Sequence, residues 1–124
     1  MSMRVFGELE TVVMAQLWEM DGDGTVREVF ERLRNEREIA YTTVLSTMEN
    51  LLRKGHLNRK QEGRAYRYLT TLTHAEHTAG LMREALAIGD KDTTAVLTHF
   101  VGEMTSEELE GLKTVIRRRS RSKR

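Results

Sequence analysis

The chain contains no cysteine, no proline and no long apolar run. Without cysteine there is no disulfide framework, no thiolate metal site and no thiol nucleophile, and a cytoplasmic setting is the expectation. Without proline there are no rigid extended linkers, which suits a mostly helical chain. A bilayer span needs about 20 consecutive apolar residues, so no membrane insertion is expected. The opening MSMRVFGELE is too short in apolar residues and too charged for a signal peptide. There is also no GxSxG elbow and no glycine-rich phosphate loop. Nothing in the sequence argues for an enzyme, and no cofactor or metal is expected.

What is present is a chain of 124 residues, 39% of them hydrophobic. That suits one ordinary domain or two small ones. The net charge of +1 conceals strong segregation. Residues 1–38 hold five basic and nine acidic side chains (−4), and residues 39–72 hold six and two (+4). Residues 73–116 hold three and eight (−5), and the tail RRRSRSKR holds six and none (+6). Basic clusters of this kind are what a polyanion feels.

Hydrophobic spacing predicts a helix over residues 8–20, with Leu9, Val12, Val13, Leu17 and Met20 on one side. MDGDGT reads as a turn. Thr25 with Glu28 is a capping box that opens a second helix through Val26, Val29, Phe30 and Leu33. A third helix runs through AYTTVLSTMENLLRK and stops at Gly55. The period then changes to two, and HLNRKQ and RAYRYL read as a β-hairpin around Glu62-Gly63. Three helices followed by a basic hairpin form the winged helix-turn-helix pattern. Beyond it the chain is helical again. Capping boxes fall at Thr73/Glu76 and Thr105/Glu108, and Asp92 is a further N-cap. The expected fold is mainly α with a small hairpin: a DNA-binding domain over 1–72 and a helical domain over 73–124. About 50 residues are too few to bury the apolar side chains of that second half alone. A homodimer is expected, built by Leu81, Leu86, Leu97, Phe100, Val101, Leu109, Leu112 and Ile116.

The third helix has an unusual outer face. At about 100° per residue, Thr42, Thr43, Ser46, Glu49, Asn50 and Arg53 all lie within about 60° of Ser46. Thr, Ser and Asn are poorer helix formers than the Glu and Lys that usually fill a solvated face. Short hydroxyl and amide side chains let a helix approach a groove, donate to phosphates and touch base edges. The bland alternative is a solvated face of accidental composition, and the hairpin that follows favours DNA. There, Arg59, Lys60, Arg64 and Arg67 surround a tight turn, with Tyr66 and Tyr68 between them as core cover. A basic wing tip reaches phosphates or a minor groove, with Arg64 the foremost contact; a solubilising edge is the alternative. The tail is either a disordered arm that adds phosphate affinity or a helix end whose cations suit the dipole.

Two chemical patterns fail on inspection. DGDGT resembles a calcium loop, but setting Gly24 as its glycine places Phe30 where a bidentate Glu is required. His74 and His77 share a helical turn without a strong third ligand beside them.

AYTTVLSTMENLLRKGHLNRKQEGRAYRY, with GELETVVMAQLWE and TVREVFERL before it, resembles the BlaI/MecI-type penicillinase repressors. The resemblance covers residues 6–69 and runs on more weakly to about Phe100. It implies a dimeric winged-helix repressor reading a palindromic operator of β-lactamase, penicillin-binding-protein or related genes. It further implies recognition-helix contacts at Thr42, Thr43 and Ser46, a wing contact at Arg64, and a membrane sensor protease as partner. The chain departs from the family in two places. Asn50 stands where many relatives carry Arg, and His99-Phe100 stands where well-known members have the Asn-Phe bond cleaved on induction. The copper-responsive branch, which uses a cysteine-rich metal site, is excluded by the lack of cysteine.

The reading is a transcriptional repressor that binds double-stranded operator DNA through Thr42, Thr43, Ser46, Asn50, Arg53, Lys60 and Arg64. Two rival classes are a winged-helix protein-interaction module and a metal-sensing regulator using His74, His77 and His99.

Overall fold

Local signals set most of the helix ends. In a computed structural model, which describes residues 6–89 and 91–122, α1 spans Glu8–Glu19 and starts where the Glu10 carboxylate accepts the Gly7 N–H at 3.1 Å. The helix α2 (Val26–Leu33) starts at the Thr25/Glu28 capping box, with both reciprocal hydrogen bonds formed. The third helix, α3, spans Tyr41–Arg53 and ends before Gly55, whose φ of +87° suits glycine.

The MDGDGT segment differs from its reading as a simple turn. Asp23–Thr25 forms a short strand, β1, paired antiparallel with β3 (Ala65–Thr70), which also pairs with β2 (Leu57–Glu62). The sheet order is β1-β3-β2. Gly22 makes this entry possible: its φ is +85°, and a Cβ there would lie 2.8 Å from the Thr70 hydroxyl. Three residues without alternation carry no strand signal. The partner that makes them a strand lies more than forty residues away.

The hairpin register pairs Glu62 with Ala65, leaving Gly63 and Arg64 as the two-residue turn. Gly63 has φ +63° at the first turn position, as a type II′ hairpin requires. The three helices and the sheet close over one core. Val13, Met14 and Leu17 come from α1, Val26, Val29 and Leu33 from α2, Val44, Met48 and Leu51 from α3, and Leu57 and Tyr68 from the sheet. Each such side chain contributes about 1.5–3 kcal/mol when fully buried.

The remaining helices are α4 (His74–Ile88), α5 (Thr93–Gly102) and α6 (Ser106–Ser122). Asp92 caps α5 by accepting from the Ala95 N–H at 3.1 Å, and the Thr105/Glu108 box opens α6. The chain divides into two compact units, residues up to Met82 and residues from Arg83. In the second unit no described residue is buried, and large apolar side chains stand in the open: Ile88 is 84% exposed, Phe100 52% and Ile116 54%. No helix among the described residues is long and apolar enough to cross a membrane.

Candidate nucleic-acid interface

The helix α3 is two-sided in the way its sequence pattern indicates. Val44, Met48 and Leu51 are fully buried, whereas Thr42, Ser46, Glu49 and Arg53 are exposed on the other side. Thr43 and Asn50 are half-buried at its margins. Thr47 goes inward instead. It is buried, and its hydroxyl donates to the Thr43 carbonyl at 2.7 Å, so its polar atom is satisfied within the helix. Arg53 donates to the Asn50 side-chain oxygen, which links two of the outer-face residues.

The charges between α3 and the wing sort into used and unused cations. Six basic residues occur from Arg53 to Arg67. Lys54 pairs with Glu10 at 2.7 Å. Arg67 is held by Glu62 and Asp23, each at 2.9 Å, and by Glu28 at 3.2 Å. Hydrogen bonds from Arg67 to Glu62 and then to Asp23 raise its pKa above the ordinary arginine value. The sequence pattern groups Arg67 with the wing cations; the structure makes it an internal tie between strands. Among the described residues the other four, Arg53, Arg59, Lys60 and Arg64, have no ion pair within 4.0 Å, although Glu49 acts on Arg59 electrostatically. Of these, Arg53, Lys60 and Arg64 are cations whose charge no salt bridge uses.

Strand alternation separates the wing residues. Arg59 lies opposite Tyr68 and Gln61 opposite Tyr66, whereas Lys60 lies opposite Arg67 on the other face. Lys60 is therefore set apart from α3, with its exposed chain on the far side of the hairpin. Of the two tyrosines, Tyr68 is core cover, as its position implies. Tyr66 is not: it is 42% exposed, and the Arg59 guanidinium sits 3.9 Å from its ring centroid. Arg59 also donates to the Tyr68 hydroxyl at 3.3 Å, the main reason its pKa is raised.

The exposed Arg64 at the wing tip is brought to the start of α3. A groove of about 240 Å³ is lined by Thr25, Arg27, Tyr41, Leu45, Arg64 and Tyr66, among others. The Arg27 guanidinium lies 4.9 Å from the Tyr41 ring centroid, and Tyr41 meets Phe30 edge-on at 5.5 Å. Helical spacing puts Tyr41 on the inner face and gives no reason to single out Arg27. A readable signal existed: a cation in the first turn of α2 opposes the helix dipole, an anomaly that invites a functional reason.

His74 and His77 are packing pieces. His74 lies flat on Trp18, with centroids 4.4 Å apart, and buried His77 lies flat on Phe6 at 4.6 Å. The Trp18 indole N–H donates to the Leu72 carbonyl at 3.0 Å. Together these contacts fasten the first turn of α4 to α1. His99 is exposed on α5, and no group of three or more His, Cys, Asp or Glu suited to a metal occurs among the described residues. The apolar residues of the second half are placed as follows. Leu81, Leu86, Val101, Leu109 and Leu112 are half-buried, and Leu97, Phe100 and Ile116 are exposed.

Comparison with known proteins identifies the family and the fold. The penicillinase repressor family model matches residues 6–118. The transcriptional regulator BlaI of Mycobacterium tuberculosis, in strains CDC 1551 / Oshkosh and ATCC 25618 / H37Rv, is 36% identical over 112 residues, covering 89% of this chain and 81% of that protein. The solution structure of the DNA-binding domain of the repressor BlaI superposes with a TM-score of 0.53 at 23% identity, over 60% of this chain and 90% of that one. The Bacillus licheniformis BlaI monomer, solved in complex with the blaP half-operator, gives 0.51 at 23% identity over the same shares. The structural matches establish the fold. With the family match over nearly the whole chain and the regulator's identity above 30%, the two-faced α3 and its wing have their place: the chain belongs to the penicillinase repressor family, whose members are winged-helix transcriptional repressors rather than enzymes.

Proposed function

We propose that this repressor binds a palindromic double-stranded operator as a homodimer and controls β-lactamase, penicillin-binding-protein or related genes. Thr42, Thr43, Ser46, Asn50 and Arg53 meet base edges and phosphates in the major groove, and Lys60 and Arg64 add wing contacts. The observation that carries this reading is the pairing of a short-side-chain outer face on α3 with cations that form no salt bridge among the described residues. Residues 1–72 read DNA, and residues 73–124 dimerise through the exposed and half-buried apolar positions of α4, α5 and α6. The two-fold axis sets half-sites about one helical turn apart, or a small multiple of that.

A gel shift on promoter DNA from the gene's own neighbourhood tests the reading. A specific complex that outcompetes scrambled duplex supports it; equal binding to both, or none, overturns it. Induction through a membrane sensor protease is part of the proposal. The His99-Phe100 bond lies within α5 with both side chains exposed, so cleavage needs local opening of that helix. Fragments cut at this bond in cells treated with a β-lactam support the protease step. Intact chain under full derepression rules it out.

A further inference from the structure

Within the described residues, the basic tail is helical as far as Ser122. The helix α6 continues through Ser122, so Arg117, Arg118, Arg119 and Arg121 are presented on regular backbone, all exposed. Their positions around that helix differ in meaning. At about 100° per residue, Leu109, Leu112, Val115 and Ile116 form one apolar side. Arg117, Arg118 and Arg121 fall together within about 100° on the opposite side, and Arg119 alone lies toward the apolar side. A partner covering the apolar side leaves the three outward arginines free.

No described residue forms an ion pair with them. The acidic residues of the same helix are engaged or distant in sequence: Glu108 completes the Thr105 capping box, and Glu110 pairs with Lys113 at 3.4 Å. Among the described residues none of the four arginines has an ion pair, and Arg117 donates only to the Thr114 hydroxyl at 3.3 Å. The helix dipole welcomes some positive charge at a C-terminus, but within the last turn only. A run of six cations in eight residues exceeds that need.

We propose that the outward arginine face of α6 is a second, sequence-independent DNA contact, which binds the phosphate backbone of the duplex. Arg117 to Arg121 span about 6 Å of helix axis, and a duplex carries one phosphate charge per about 1.7 Å. Three guanidiniums in that length meet a matching density of opposite charge. This inference rests on the DNA-binding reading and adds affinity to it without adding specificity.

The test uses the full chain carrying R117Q, R118Q and R121Q together, with the corresponding triple Lys variant as the charge-preserving control. Affinity for a labelled scrambled duplex is measured by anisotropy across a series of KCl concentrations. The slope of log Kd against log salt should become shallower by about 0.9 for each phosphate no longer neutralised. Operator and scrambled duplex should weaken by the same factor, sedimentation should be unchanged, and the Lys variant should keep the original slope. An unchanged slope in the Gln variant overturns the proposal. So does binding to phosphatidylglycerol vesicles that the Gln variant loses while its duplex slope stays intact, which assigns the face to a membrane surface. If operator preference is present and falls with Ser46→Ala while the Gln slope is unchanged, only this inference fails. If the unmodified chain binds no duplex, the DNA reading fails with it.

Discussion

Arg67 donates to Asp23 at 2.9 Å across forty-four residues of chain, and so joins the inner strand of the wing to the strand that precedes α2. With Glu62 and Glu28 on the same guanidinium, Arg67 is a structural tie within the wing. Arg67→Ala should therefore lower the melting temperature and leave three carboxylates without their cation. It should not flatten the salt dependence of DNA binding the way removal of a phosphate-binding cation does. Arg64→Ala is the converse: stability unchanged, all duplexes bound more weakly, and a salt slope reduced by about 0.9. Finding the two effects exchanged between these variants would show the wing cations to be wrongly divided.

Ser46 is exposed on the outer face of α3, whereas Leu51 on the same helix is fully buried in the core. Ser46→Ala should reduce discrimination between operator and scrambled DNA by about 1 kcal/mol or more, with unchanged unfolding. Leu51→Ala should cost about 2–5 kcal/mol of stability through the cavity it leaves, with operator preference retained in whatever fraction stays folded. Denaturant titrations and competition binding on both variants separate the roles. A Ser46→Ala protein with unaltered preference would place the base-reading surface elsewhere.

Phe100 and Ile116 are each more than half exposed on their helices. If the proposed homodimer forms through these helices, Phe100→Asp or Ile116→Asp should leave a monomer in sedimentation at micromolar concentration, because an unpaired charge is buried on association. A dimer that survives both substitutions would remove this apolar side from the interface.

Acid should destabilise the first unit through two carboxylates. The Glu28 carboxylate accepts the Thr25 backbone N–H at 2.9 Å and lies beside Arg67, which holds its pKa below the ordinary 4.5. Partial burial pushes Glu10 up, but hydrogen bonds from Lys54 and the Gly7 N–H outweigh it and hold Glu10 below 4.5 as well. A carboxyl depressed by folding contributes stability that is complete above its unfolded pKa and lost as pH falls through its folded one. The urea midpoint should change little from neutral pH to about 5 on this account and decline below 4.5. Glu28→Gln should be less stable at neutral pH and show a shallower acid decline. An identical acid profile in that variant would assign the loss to other groups.

Sequence alone determined the features whose partners are close in the chain. The capping boxes at Thr25, Thr73 and Thr105 pair atoms three residues apart, and all three form. The two faces of α3 follow from helical period, and the existence of the hairpin follows from the change of period on either side of Gly63. The pairing of Glu62 with Ala65 sets its turn at Gly63-Arg64, one residue beyond the Glu62-Gly63 reading. The tertiary structure decided what depends on distant partners. Asp23–Thr25 is a strand because β3 lies beside it. Lys54 and Arg67 are spent on Glu10, Asp23, Glu28 and Glu62, while Arg53, Lys60 and Arg64 are not. His74 and His77 became ring-stacking partners of Trp18 and Phe6, residues from the opening helix and the segment before it. Periodicity and capping act over one turn of backbone and are written in the residues themselves. Charge neutralisation and strand pairing depend on which chain segments meet in space, and folding sets that.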